Sequence, residues 1–282
     1  MKKKKLFFKN QIVISSNYFS DYEFVFSFTK RVATATKCVR IRRNNDDAET
    51  DILLENTGPV NINSLVLAGG TLANWIGANN GFMVIDYDQM ENGFDMAQFT
   101  NSKQAQIVQN GVWLGYKQYD GSDDIYSSTN ISLMNMGSVY VKANKSTNDV
   151  LYYLSQAQKS NNKTLTFTTQ YEAPNNKLRI LDFTPSFNQP LGNNFMNVGL
   201  NTMMYASTGT NYKMRLNGVN QVISGTNTGN WFFDYSSTGF TLQKGGLYWN
   251  HETLFRNYRE YEILGFNVTH TDAQSLEIEN TM

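Results

Sequence analysis

One cysteine, four prolines and two histidines are all that 282 residues hold of these types. A single cysteine excludes a disulfide within the chain. With only two histidines beside it, the usual four-ligand zinc clusters are excluded as well. No stretch approaches the ~20 apolar residues that a membrane-spanning helix needs, so no membrane insertion is expected. Charged residues make up 17%, against 40% hydrophobic and 13% aromatic, and a chain of that balance can bury a core. What abounds is asparagine, 35 residues, which tolerates left-handed backbone and closes turns with its own side chain. Many turns mean many short elements, which argues against a helical bundle. The length suits one large all-β domain or two small ones.

Net charge is zero but unevenly spread. Residues 1–43 hold eleven Lys/Arg against Asp21 and Glu23, a balance of +9; the remainder carries −9. The four lysines Lys2, Lys3, Lys4 and Lys5 are followed by only Leu6-Phe7-Phe8 as an apolar segment, too short for a signal peptide. Synthesis without Sec export, starting at Met1, is therefore expected. Residues 1–21 read as a basic arm, with Lys2 to Lys5 and Lys9 as anchor residues, or alternatively as a solvated end that aids solubility. A nucleic-acid binder would carry basic residues over a whole face. The body is acidic, so no nucleic-acid partner is expected.

Along the body, 22–282, short runs rich in β-branched and aromatic residues alternate with turn signals. Strands are expected at Tyr22–Phe28, Thr36–Arg43, Phe82–Asp86, Ile131–Met134, Ser138–Lys142, Val150–Leu154, Thr164–Thr169, Leu178–Phe183, Tyr212–Leu216, Gln221–Ile223, Phe240–Gln243 and Tyr261–Val268, and before them at Gln11–Ser15. Asn175-Asn176, Asn193-Asn194 and Asn217-Gly218 are among the expected turns. A short helix is expected within 63–77, and a terminal helix over Thr271–Asn280 with Thr271 as its N-cap. This pattern predicts an all-β jelly-roll sandwich.

Three stretches are more specific: Cys38–Ile52 (CVRIRRNNDDAETDI), Asn80–Val108 (NGFMVIDYDQMENGFDMAQFTNSKQAQIV) and Tyr119–Tyr126 (YDGSDDIY). Together they resemble the concanavalin A-like (laminin-G-like) sandwich of α-L-arabinofuranosidases, and equally the related modules of bacteriophage virion proteins. In the second stretch Gly81, Phe82, Tyr87, Asp88, Gln89, Gly93, Gln98, Gln104, Ile107 and Val108 match the family pattern. Met90, Glu91 and Ala105 stand where Ser, Gly and Pro are expected. The first stretch matches at Arg42, Arg43, Asp46, Ala48, Glu49, Asp51 and Ile52. Read physically, a guanidinium fork can hold Asp46, Glu49 or Asp51 and fix the turn, and Asp88-Gln89 with Asn92-Gly93 form a loop.

The resemblance implies a nucleophilic Glu in a segment comparable to Tyr152–Gln158 (YYLSQAQ), where Gln158 and Tyr153 stand in place of the acids. The second carboxylate would follow a Gly-Gly pair; Gly245-Gly246 is followed by Leu247. The expectation is therefore of a chain that is not an enzyme. Asp120, Asp123, Asp124, Glu172, Asp182 and Asp234 remain as acids without an enzyme-like spacing. The three neighbouring aspartates read either as a calcium cradle or as a solvated turn, and no cofactor is expected. Surface or hydrogen-bonded roles suit His251 and His270. Trp113, Trp231, Tyr248 and Trp249 are candidates for stacking on a sugar or for a subunit contact, against plain core packing. Met203-Met204 and Trp231-Phe232-Phe233 are subunit-contact candidates.

The first expectation is thus a phage structural protein, a head-fibre, capsid-decorating or tail-fibre component. It would be anchored by its arm to other virion proteins of capsid or tail, and be assembled in the bacterial host cytoplasm as a homo-oligomer, trimeric by analogy with fibres. The alternatives are a carbohydrate-binding adhesin that contacts host glycan and a divergent glycoside hydrolase.

Overall fold

The computed structural model describes residues 21–55, 58–132, 134–145, 150–158, 163–172, 175–183, 187–237, 240–249, 252–255 and 257–282. The expected arm, with Lys2 to Lys5 and Lys9, and the strand Gln11–Ser15 lie outside them, as does His251. The body opens with β1 (Tyr22–Ser27), β2 (Lys37–Arg43), β3 (Glu49–Leu53) and helix α1 (Leu72–Ile76). β4 (Gly81–Asp86), β5 (Met96–Ala97), β6 (Gln106–Gln109), β7 (Val112–Asp120), β8 (Tyr126–Ser128) and β9 (Gly137–Lys145) follow. The middle holds β10 (Tyr152–Ala157), β11 (Thr164–Glu172), β12 (Asn175–Phe183), β13 (Phe187–Asn188), β14 (Leu191–Met196), β15 (Gly199–Ser207), β16 (Tyr212–Leu216), β17 (Val219–Asn220) and β18 (Ile223–Ser224). β19 (Thr241–Lys244), β20 (Gly246–Trp249), β21 (Glu252–Phe255), β22 (Asn257–Phe266) and helix α2 (Asp272–Thr281) close it.

Every ladder is antiparallel, and the ladders form two layers. One runs β22–β9–β15–β16–β17, with β1 and β7 sharing the free edge of β22 end to end. The other runs β3–β2–β4–β5–β8–β19–β10–β11–β12–β14–β18. β6 pairs with both β4 and β7 and ties the layers together. Inward side chains from both sides fill one core: Phe167 of β11 stacks on Tyr205 of β15 at 5.1 Å, and Tyr153 of β10 meets Tyr258 of β22 edge-on at 5.6 Å. This is the all-β sandwich expected from the sequence.

Two expectations fail for identifiable reasons. The described residues of Ile131–Met134 form no strand: the Gln156 side chain takes both the Ile131 N–H (2.6 Å) and the Ile131 carbonyl (2.9 Å) and leaves that residue nothing to pair with. Asn175-Asn176 and Asn193-Asn194 lie inside β12 and β14 instead of in turns. By contrast, Asn217-Gly218 is a two-residue hairpin turn with both φ positive, 49° and 83°, the geometry that matches strand twist. α2 forms as expected, with Thr271 and Gln274 capping each other. It packs on the outer face of the first layer over Tyr22, Val25, Tyr140, Met204 and Phe266. Met203 and Met204 are therefore not a subunit contact: Met203 fills the core and Met204 lies in the cluster with α2. His270 is buried in a hydrogen bond with Tyr140 (3.0 Å), and burial pushes its imidazole down to about 4.

Four charged side chains meet inside the core. Lys117 of β7 and Glu260 of β22 come from one layer; Asp86 of β4 and Lys244 of β19 come from the other. All four are fully buried. Glu260 accepts from Lys117 at 2.8 Å, from Lys244 at 3.1 Å and from the Tyr119 hydroxyl at 3.1 Å, while Asp86 Oδ2 accepts from both lysines. Burial alone would push the Glu260 carboxyl up; the two ammonium groups outweigh burial and hold it below the usual carboxylate range. Replacing one partner strands a buried charge. Lys117→Met is expected to cost about 3–5 kcal/mol in urea denaturation. The double variant Lys117→Met/Glu260→Leu, which removes one charge of each sign, should lose much less. Equal losses would show that the charges do not act as a neutral set.

Candidate functional site

The two motif stretches of the first half bind each other. The Tyr87 hydroxyl donates to Asp51 (2.8 Å) and Arg42 Nε to Gln104 (2.8 Å). Arg40 pairs with Asp51 and Arg43 with Asp46 through both oxygens, while Arg42 holds Asp47. Asp88 accepts the backbone N–H groups of Val25, Met90 and Asn92. Gln89 accepts from the Arg31 and Val32 N–H groups and donates to the Ser27 and Thr29 carbonyls. These residues are pegs that fasten the loop after β4 to β1. A surface cavity of about 290 Å³ lies beside them, lined by Lys37, Tyr87, Asp88 and Asp95. Burial raises the Asp88 carboxyl to about 6, but both its oxygens are taken by backbone.

Within that loop Glu91 has φ +57°. This is the position where the family pattern has Gly, and the left-handed region is costly for a residue with a Cβ. Asp120, Asp123 and Asp124 do bring carboxylate oxygens within 4.8 Å of one another. Two of them serve the turn: Asp124 accepts the Asp120 N–H (2.7 Å) and Asp120 accepts that of Ser122 (2.7 Å). Burial, with the neighbouring aspartates, lifts the Asp124 carboxyl to about 7. Asp182 faces the core and is held by the hydroxyls of Tyr212, Thr228 and Tyr235 and the Asn230 amide. Asp234 accepts the Trp231 N–H at 2.7 Å.

The second layer offers a different surface. Alternation turns Leu154, Leu165, Phe167, Leu178, Ile180 and Leu242 to the core, so the residues between them face outward. The register aligns Ser127, Gln243, Ser155, Thr166 and Leu181 in one cross-strand row. It aligns Tyr152, Thr168, Arg179 and Leu191 in the next. Such an outer face would ordinarily be wet, yet Ser155, Thr164, Thr166, Thr168 and Gln243 are at most 1% exposed. Thr164 and Thr166 share a hydroxyl contact of 2.6 Å, and Gln243 donates to Thr241 at 2.7 Å. Ser155 Oγ is buried without a partner. The hairpin β20–β21 pairs with itself alone and packs on β10 and β19. It leaves β19 through Gly245 at φ +84°, where a Cβ would lie 2.5 Å from the Tyr119 ring.

Of the four aromatic candidates, Trp231 is fully buried against Phe167 (5.1 Å) and Phe232 (5.4 Å), so it contacts neither sugar nor subunit. Its neighbour Phe232 is buried likewise, whereas Phe233 is 55% exposed. Trp113 is half-buried and tilts against Phe28 at 4.7 Å. Tyr248 and Trp249 lie on β20, of which the backbone alone is described. The two segments compared with the enzyme's acids lie near each other: Gln158 follows β10, its N–H on the Lys163 carbonyl (3.1 Å), and Leu247 is on the hairpin that packs on β10. Sequence reasoning missed Ser155, Thr166, Arg179 and Gln243. The signal was the run Thr164, Thr166, Thr168, hydroxyls on a single face.

The chain matches no protein-family model and no curated protein. Solved structures do match. An arabinofuranosidase complexed with arabinofuranosyl-α-1,2-xylobiose superposes with TM-score 0.67 at 12% identity. A GH54 α-L-arabinofuranosidase soaked with a cyclic sulfate inhibitor gives 0.63 at 12%. A mutant of such an enzyme soaked with 4-nitrophenyl α-L-arabinofuranoside gives 0.57 at 13%. Each comparison covers 94% of this chain and 63% of the other. The fold is thus a concanavalin A-like, lectin-like β-sandwich.

These matches correct the expectation that the chain is not an enzyme. The folds it shares along nearly all its described length are those of glycoside hydrolases. An amide at Gln158 removes one nucleophile in one alignment; it does not remove catalysis. The virion placement draws no support from the fold or from these structures. One departure from the family pattern is directly measurable: Glu91→Gly is expected to stabilise the chain by about 1 kcal/mol, read from thermal or urea melts, and a loss of stability would show that the Glu91 side chain contributes more than its backbone costs.

Proposed function

We propose that the chain is a carbohydrate-active β-sandwich of arabinofuranosidase type, which recognises a glycan along the outer face of β19, β10, β11 and β12 beside the hairpin β20–β21. The observation that carries this is the likeness, over 94% of the chain, to arabinofuranosidase structures; beside it, Ser155 Oγ is a buried hydroxyl with no partner among the described residues, in a row of hydroxyl and amide side chains on that face. A buried polar atom left unmade is costly, and a sugar hydroxyl supplies what it lacks. β10 is also the strand that resembles the enzymes' nucleophile segment.

The likeness to arabinofuranosidases favours a second step, hydrolysis. A retaining mechanism needs two carboxylates about 5 Å apart. Gln158 cannot be one of them; β11 and β21 carry Glu172 and Glu252. On a phage particle the same face would be the contact with host glycan, a proposal that rests on the sequence alone.

Glycan arrays and calorimetry test the binding, and a panel of aryl α-L-arabinofuranosides tests the chemistry. Ser155→Ala should weaken glycan binding up to about ten-fold, one hydrogen bond's worth, while leaving the melting temperature equal or higher, since the hydroxyl has no described partner to lose and its burial is costly. Turnover abolished by Glu172→Gln or Glu252→Gln would establish hydrolysis. A chain that binds no glycan and cleaves no aryl glycoside overturns the proposal.

A further inference from the structure

Arg31, Arg40, Arg42, Arg43 and Arg215 each hold a carboxylate. Arg179 does not. It stands on the outer face of β12, opposite Thr168 and Leu191 and one row from Ser155. Its Nη1 donates to Gln189 Oε1 (3.1 Å) and Gln170 Oε1 (3.4 Å), two neutral acceptors that set the plane of the guanidinium. Its Nε is buried and makes no hydrogen bond. Burial pushes the group down from its ordinary range, and the ionisable side chains that act on it are Tyr152 and Tyr205, neither of them an acid of the carboxylate kind. Arg259 also lacks an acidic partner, but it lies over the Tyr116 ring at 4.8 Å and donates to Gln118. Arg179 has no ring to rest on among the described residues.

A guanidinium placed in this way has Nη1 occupied and a buried Nε with no partner among the described residues. The Nε–Nη2 edge is the one that meets a carboxylate through two parallel hydrogen bonds. The described residues around it on this face are hydroxyls, amides and the apolar Tyr152, Leu181 and Leu191, with a second cation, Lys177, two residues away on β12. A neutral sugar could satisfy Ser155 and its row but would leave the cation uncompensated. We propose that Arg179 is a carboxylate-binding subsite of this face, so that the glycan recognised is an acidic one bearing a uronic-acid-type carboxylate. This rests on the reading of the face as a glycan site and narrows it to a substrate class.

The test uses the full chain, a set of oligosaccharides ending in glucuronate or galacturonate, their carboxyl-reduced counterparts and sulfated neutral sugars, with affinities from calorimetry. The wild type should bind the uronates roughly ten-fold or more tighter than the reduced forms, the scale of a charge-assisted pair. Arg179→Gln should shrink that preference below about two-fold while retaining the neutral affinity, and Arg179→Lys, which keeps the charge but not the fork, should fall between. Because Arg179 has no carboxylate partner among the described residues, the melting temperature of Arg179→Gln should equal or exceed that of the wild type. A large drop in melting temperature would assign the residue to the fold and overturn the subsite. Equal binding of uronate and reduced forms by the wild type removes the subsite and leaves the glycan reading standing. Preference for sulfated sugars overturns the carboxylate. Binding of none of the probes removes both readings together.

Discussion

The two layers of this sandwich are joined across the core by charge as well as by oil. Lys117 and Glu260 project from one layer, Asp86 and Lys244 from the other, and each carboxylate touches both ammonium groups. Such a set loses its neutrality when any single member is missing, and its contacts are made only in one relative placement of β4, β7, β19 and β22. Hydrophobic contact tolerates sliding; an ion set in a low-dielectric core does not. The surrounding rings of Phe26 and Phe28, 4.8 and 5.3 Å from the lysine nitrogens, exclude the water that would otherwise soften this constraint. The alignment of β19 beside β10, and with it the row Gln243–Ser155–Thr166, is placed by the same strand that delivers Lys244.

How much of this was legible in the sequence depends on what each residue answers to. Strand periodicity is a local property, and runs such as Tyr22–Ser27, Lys37–Arg43 and Thr164–Thr169 show it plainly. The α2 cap at Thr271 is equally local. The Arg–Asp pairs after β2 could be foreseen because partners lie within eleven residues of each other. Ile131 could not, since its hydrogen bonds are consumed by a glutamine 25 residues on. The core quartet was invisible for the same reason at greater range: Lys117 and Glu260 are 143 residues apart, and each reads in isolation as a surface charge.

The candidate site shows the limit more sharply. Sequence comparison led to Tyr152–Gln158 and asked which residues replaced the acids. That question pointed to β10 and passed over Ser155, because Ser155 and Thr166 become neighbours only through register. The aromatic residues drew attention by size, and Trp231 proved to be core. Arg179 is ordinary in sequence; that no described carboxylate pairs with it appears only once the strands are aligned.

The hairpin β20–β21 stands apart from all of this. It is fastened to the rest of the chain through Gly245 and by packing, and no ladder ties it to either layer. Insertions, deletions or a wholesale change of composition between Gly246 and Phe255 would leave the strand alignment beneath untouched. Evolution can therefore retune what lies beside the hydroxyl row without renegotiating the architecture, and lineages descended from such a scaffold should differ most where the backbone owes the sheet nothing.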